Sequence, residues 1–159
     1  MTLDNSKTII AFRIRLFVVT VIALAWVALA YIIKLIKFPI LGIDDWIWTL
    51  LIVAIWVVVA FMPMILDYQF FFFSDDGEKI VFRYFNAGIV GGKKNSVEID
   101  KKRFTGYSTG SKLLGLSRSL ILYQQIGQGV AKYPPIYITA LTKEQRAQVL
   151  HALDAYSKK

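Results

Sequence analysis

The residues most suggestive of chemistry are Gly91-Gly92-Lys93-Lys94. A phosphate-binding loop cradles its anion on glycine-rich backbone N–H groups, with a lysine on the terminal phosphates and a Ser or Thr on the metal. That pattern demands a glycine five residues before Gly92, where Ala87 stands, and a hydroxyl after the first lysine, where Lys94 stands. No helical pattern follows, so the four residues read as a solvated turn. A broader basic set is Lys93, Lys94, Lys101, Lys102 and Arg103, flanking the short stretch Ser96–Asp100, with Lys112 and Arg118 further on. Each cation near an anionic bilayer surface contributes about 1 kcal/mol of attraction. These seven are therefore candidate lipid- or anion-binding residues, although a solubilising charge run is the plainer account. Turns at opposite ends of one short strand lie ~15–20 Å apart, so they serve one headgroup only if the sheet curls.

Catalytic constellations are missing from the pattern. There is no cysteine, which removes disulfides, thiol chemistry and thiolate metal sites. His151, the single histidine, falls on a helical face with Glu144, Gln148 and Ala155, away from that helix's apolar stripe. It has no second imidazole with which to hold a metal and no serine in a nucleophile-like setting. Asp75, Asp76 and Glu78 could hold a cation, but an Asp-Asp-Gly turn accounts for them. The expectation is a non-enzyme with no cofactor, no metal and no small-molecule substrate. Nucleic acid is not expected as a partner either, because no recognition-module pattern appears.

What must position these residues is set by two apolar runs. Leu16–Ile33 is eighteen residues without a charge and Trp46–Leu66 is twenty-one. About twenty residues at ~1.5 Å each cross the ~30 Å hydrocarbon core of a bilayer, so both qualify as spans. Ala28-Leu29-Ala30 mimics a signal-peptide cleavage site, but the run is longer than an ordinary signal core and continues through Tyr31-Ile32-Ile33. Two retained spans in an antiparallel hairpin is the reading. Residues 1–66 are then an N-terminal segment with a transmembrane hairpin, spans about 16–33 and 46–66. Residues 67–159 form the domain that follows.

The 159 residues carry a net charge of +8. From residue 67 onward fourteen Lys and Arg stand against eight Asp and Glu, leaving +6. With Lys7, Arg13 and Arg15 ahead of the first span, the positive-inside rule puts both termini in the cytoplasm. Arg13, Arg15, Tyr31, Trp46 and Trp48 are expected as membrane-interface anchors. The spans hold no charge and only Thr20 and Thr49 as interior hydroxyls, so the hairpin reads as an anchor and not a transport path. Ala23 and Ala30 share one face, which suits close packing against the second span.

The domain reads as strands followed by one helix. Tyr68–Phe73 and Lys79–Phe85 flank Asp75-Asp76-Gly77-Glu78, a hairpin turn whose glycine can take positive φ. In the second strand Ile80, Phe82 and Tyr84 share a face. Ser96–Asp100 alternates with Val97 and Ile99 inward, and Phe104–Thr109, Ser119–Gln125 and Ile136–Thr139 complete six strands. Thr142 with Gln145 three residues later is a capping box, opening a helix over Lys143–Ser157 with Val149, Leu150, Leu153 and Tyr156 as its apolar stripe. Strands first and one helix last exclude a βαβ fold.

Two spans, a meander opening at YQFFFFSDDGEKIVFRYF and a capped terminal helix resemble the bacterial membrane-anchored proteins with a pleckstrin-homology-like (PH-like) domain. The likeness is architectural, without a diagnostic motif. It implies an α+β membrane protein: a helical hairpin, then a bent antiparallel sheet or partly open barrel capped by one C-terminal helix. That fold has seven strands against the six found, and Val130–Tyr133 is the candidate for part of the seventh. The resemblance implies a bacterial inner membrane and a binding or assembly module as the role. The leading expectation is a non-catalytic interaction module meeting a protein partner, or a second copy of itself, through surface including Phe85 and Tyr123. The alternatives are recognition of anionic phospholipid headgroups by the basic turns, and an accessory subunit of a larger membrane transport complex.

Overall fold

The computed structural model describes residues 1–88 and 92–157. Its elements in chain order are β1 (Thr2–Asp4), α1 (Ser6–Val27, continued by a π-helical turn over Ala28–Ile32), α2 (Asp45–Ile65), β2 (Gln69–Ser74), β3 (Lys79–Asn86), β4 (Asn95–Asp100), β5 (Phe104–Lys112), β6 (Ser117–Ile126), β7 (Gly129–Lys132), β8 (Ile136–Tyr137) and α3 (Lys143–Asp154). The chain divides into two compact units, Ile10–Pro63 and, together, Met1–Ile9 with Met64–Lys159. By this division Met1–Ile9 group with the β-rich unit. Gly91 of the glycine–lysine turn lies outside the described residues.

In the unit Ile10–Pro63, both helices are long and apolar enough to cross a membrane. Only 6% and 11% of their most apolar stretches are buried, the reverse of a soluble core helix. Phe17, Leu24, Ile55 and Val58 all point outward. Two tryptophans and two threonines of the helices are instead paired with each other, while the buried Trp48 Nε1 has no hydrogen-bond partner among the described residues. Trp56 Nε1 donates to Thr20 Oγ1 at 3.0 Å, and Trp26 Nε1 donates to Thr49 Oγ1 at 3.1 Å. Each threonine hydroxyl in turn donates back to the carbonyl four residues earlier, Leu16 at 2.8 Å and Asp45 at 2.9 Å. Two crossed Trp–Thr pairs thus join the helices. Ala30 and Ala60 are buried, and Ala23 is half-buried.

The β-rich unit holds two antiparallel sheets, one in the order β1-β2-β3-β4 and one in the order β5-β6-β7, with β8 also paired to β6. Alternation sets the inward faces. Phe71 and Phe73 of β2, Ile80, Phe82 and Tyr84 of β3, and Val97 and Ile99 of β4 meet Phe104, Leu120, Leu122 and Ile136 in one core, which Val149 and Leu153 of α3 close. Each fully buried Phe, Leu or Ile contributes about 1.5–3 kcal/mol through area removed from water. Gly77 takes φ +78° in the β2–β3 turn, as its sequence context predicts. Both halves of the α3 capping box form: Gln145 N–H donates to Thr142 Oγ1 at 3.2 Å, and Thr142 N–H donates to Gln145 Oε1 at 3.0 Å.

Two features depart from the six-strand expectation. β7 and β8 lie along the same edge of β6, β7 on its far half and β8 at Ser119 and Leu120. Pro134-Pro135 separates them, because proline offers no N–H to the ladder. The candidate at Val130–Tyr133 corresponds to β7. The other addition is β1, which pairs Thr2, Leu3 and Asp4 with Ser74, Phe73 and Phe72. Both helices of the Ile10–Pro63 unit are therefore inserted between the first and second strands of one sheet. Asn5 secures the join. Its Nδ2 donates to the Gln69 carbonyl at 2.9 Å, its Oδ1 accepts from Phe71 N–H at 2.8 Å, and the residue is 1% exposed.

Candidate functional site

Strand direction sorts the basic residues. β2 runs away from Asp67, β3 returns and β4 runs away again, so Lys93 and Lys94 sit at the end where the chain arrives from α2. Lys101, Lys102 and Arg103 sit beyond the other end of β4, about 20 Å away for six extended residues. The two basic turns are not brought together. The distal turn is also occupied locally: Lys101 Nζ lies 4.6 Å from the Tyr156 ring centroid, and Arg103 Nε lies 3.7 Å from Asp100 Oδ2.

Lys112 and Arg118 do come together, at the ends of β5 and β6, where Ser111 pairs with Arg118 and Lys112 with Ser117. Lys112 Nζ donates to the Tyr137 hydroxyl at 3.0 Å, a bond that raises its pKa. Ser117 Oγ donates to Asp67 Oδ2 at 3.2 Å, so this end of the second sheet lies beside Asp67, two residues past α2.

A cavity of about 330 Å³ opens here, lined by Thr109, Ser111, Arg118, Ser119, Arg146 and Leu150 among others. That volume is at the lower end of small-ligand sites. Both arginines prolong apolar faces into its rim. Arg118 is in frame with the buried Leu120 and Leu122 of β6, while Arg146 precedes Val149 and Leu150 by three and four residues on α3. Arg118 is anchored through its backbone N–H, which donates to Thr139 Oγ1 at 2.9 Å. Among the described residues neither guanidinium forms an ion pair with a carboxylate. Burial first, and then the neighbouring Arg118 charge, push the Arg146 pKa below the ordinary arginine value, with Glu144 acting the other way. Two cations without an ion-pair partner among the described residues share the cleft with three hydroxyls, a set of donors whose chemistry suits an anion. Gly110 keeps the wall open, since a Cβ there would stand 2.9 Å from Ser119 Oγ.

The remaining expected site residues are placed as follows. Phe85 stacks on Phe70 with ring centroids 4.7 Å apart, and the Tyr123 hydroxyl is 3.2 Å from Ser108 Oγ; both residues are half-buried. In the Ile10–Pro63 unit Arg13, Arg15 and Trp46 are exposed, the Tyr31 hydroxyl lies 2.7 Å from Thr49 Oγ1, and Trp48 packs against Trp26. His151 is exposed on α3. Asp75 and Asp76 take up the Met1 amine, and Asp76 also accepts from Thr2 at 2.6 Å. Together these bonds lower the Asp76 pKa to about 2.

Arg146 is the residue that the sequence reading passes over. The signal for it was a cation standing in the apolar register of α3. Compared with known proteins, the chain matches no family model, no curated protein and no solved structure.

Proposed function

We propose that this chain is a non-catalytic, membrane-anchored module whose β-rich unit binds anionic phosphate headgroups in the Arg118–Arg146 cavity. The observation that carries the reading is the pair of arginines, neither ion-paired with a carboxylate among the described residues, lining a hydroxyl-rich cleft at the end of the second sheet that is bonded to Asp67. Arginine matches phosphate geometry through paired N–H donors. Anchoring rests on the outward apolar faces of α1 and α2, which hydrocarbon would solvate and water would not. The sharing of one sheet by β1 and β2 supports a hairpin that returns the chain to the face it left. On the positive-inside count that face is cytoplasmic, and the resemblance would make the membrane a bacterial inner one.

A four-stranded and a three-stranded sheet closed by α3, with β7 and β8 counted as one interrupted strand, support a PH-like domain. The assembly reading keeps one feature of its own. The outer edge of β4 is unpaired among the described residues and could take a partner strand. Its charged residues, Glu98 and Asp100, are of the kind that discourage such pairing.

The test is retention of lipid by the full chain extracted in mild detergent, read by native mass spectrometry. The wild type is expected to carry an anionic phospholipid, and Arg118→Gln with Arg146→Gln to lose it. Equal retention by both would refute the cavity as the site.

A further inference from the structure

We propose that Leu113, Leu114 and Leu116, at the tip connecting β5 to β6, insert into the lipid surface beside the end of α2 and dock the β-rich unit against the bilayer. This rests on the reading that α1 and α2 cross the membrane.

Four observations meet at the tip. The three leucines are turned to solvent, Leu113 at 52% and Leu116 at 64% exposure and Leu114 completely. Leu113 and Leu114 both hold left-handed backbone, φ 51° and 56°, which side chains other than glycine rarely adopt. A costly conformation that serves only to present apolar side chains to water calls for a partner that takes them. Lys112 and Arg118 stand on either side of the tip, the arrangement of an apolar wedge with cations at headgroup level. The hydrogen bond from Ser117 to Asp67 ties the base of the tip to the segment that leaves α2, and Met64 and Ile65 just before it are also exposed.

The occupant is lipid and not protein on grounds of size and continuity. A stable protein interface buries roughly 800 Å² on each partner, more than three leucines present. A lipid surface requires only penetration by a few apolar groups. The base of the tip is bonded to Asp67, two residues along the chain from a helix that hydrocarbon would solvate, so one apolar medium would cover both.

The chain has no cysteine, so single-site labelling needs no background removal. The full chain is reconstituted in nanodiscs of phosphatidylcholine, with and without phosphatidylglycerol, and labelled with an environment-sensitive fluorophore at Leu114→Cys. Leu24→Cys in α1 reports the hydrocarbon, and Gln128→Cys, in the turn at the opposite end of β6, reports water. Brominated phospholipid should remove most of the emission at 114 and 24 and leave 128 unchanged. Quenching at 24 without quenching at 114 overturns the insertion and leaves the anchor intact. Loss of quenching at both overturns the insertion together with the anchor. A label at 114 that is shielded from water but insensitive to brominated lipid overturns it in favour of a protein partner. Phosphatidylcholine alone suffices for the insertion signal, so the outcome is independent of whether the cavity binds anions.

Discussion

Ser117, the first residue of β6, donates its hydroxyl to the carboxylate of Asp67, two residues past α2, at 3.2 Å. This contact decides which cations of the second sheet lie near Asp67. It brings Lys112 and Arg118 there and, through α3, Arg146. Lys101, Lys102 and Arg103 are left at the other end of the first sheet.

Replacing Lys101, Lys102 and Arg103 together by Ala should change anionic-lipid retention by less than about twofold, since exposed charges more than a Debye length (~8 Å) away are screened. Arg118→Gln with Arg146→Gln should reduce retention at least about tenfold, given that hydrogen bonds to charged groups are each worth about 1.5–3 kcal/mol. Quantitative native mass spectrometry at fixed salt separates the two variants.

Asn5→Ala should destabilise the β-rich unit by at least about 2 kcal/mol, because the Gln69 carbonyl and the Phe71 N–H would lose buried partners. The full chain in detergent should show a lower urea midpoint with an unchanged slope. An unchanged midpoint would mean that β1 is not held in the sheet as described.

The crossed Trp–Thr pairs predict coupling between helices. Thr20→Val and Trp56→Phe should each lower the thermal midpoint in micelles. Their double-mutant cycle should give about 0.6 kcal/mol or more, the scale of interhelical hydrogen bonds in membranes. Strict additivity would indicate that the pair does not form.

Tyr107 ties β5 to α3 by donating its hydroxyl to Asp154 at 2.7 Å. Burial, then that bond, push its pKa up to about 12 from the ordinary tyrosine value of 10.0. The folded state therefore holds the phenolic proton more tightly than the unfolded state. The resulting stabilisation is complete below pH 10 and is lost as pH rises through 12. Tyr107→Phe should be less stable than wild type at pH 8 and show a smaller decline between pH 10 and 12, as followed by circular dichroism.

Local signals in the sequence carried much of the fold. Thr142 and Gln145 announced α3, Gly77 the β2–β3 turn, and the spacing of Ile80, Phe82 and Tyr84 the inward face of β3. What escaped has a physical reason in each instance. β1 is three residues long and its partner lies some seventy positions away, so no window around Leu3 contains the pairing that buries it. The Pro134-Pro135 break made β7 and β8 look unrelated, although both lie along the same edge of β6. Lys112 and Arg118 were visible as cations, but Arg146 was hidden by its place in an otherwise apolar stripe. Charge counts along the chain weight Lys101, Lys102 and Arg103 most heavily. The register of β5 on β6 sets them apart from the cavity: Phe104, next to Arg103, faces Gln124, whereas Arg118 faces Ser111 at the opposite end.

In the proposed site two arginines meet an anionic headgroup, and arginine-selective modification reads that contact directly. The full chain in phosphatidylcholine nanodiscs, with and without phosphatidylglycerol, is treated with phenylglyoxal and mapped by mass spectrometry. Exposed Arg83 on β3 serves as the internal reference. Arg118 and Arg146 should be protected when anionic lipid is present, relative to zwitterionic discs, while Arg83 reacts alike in both. Equal modification of all three arginines in the two lipids would contradict the headgroup site.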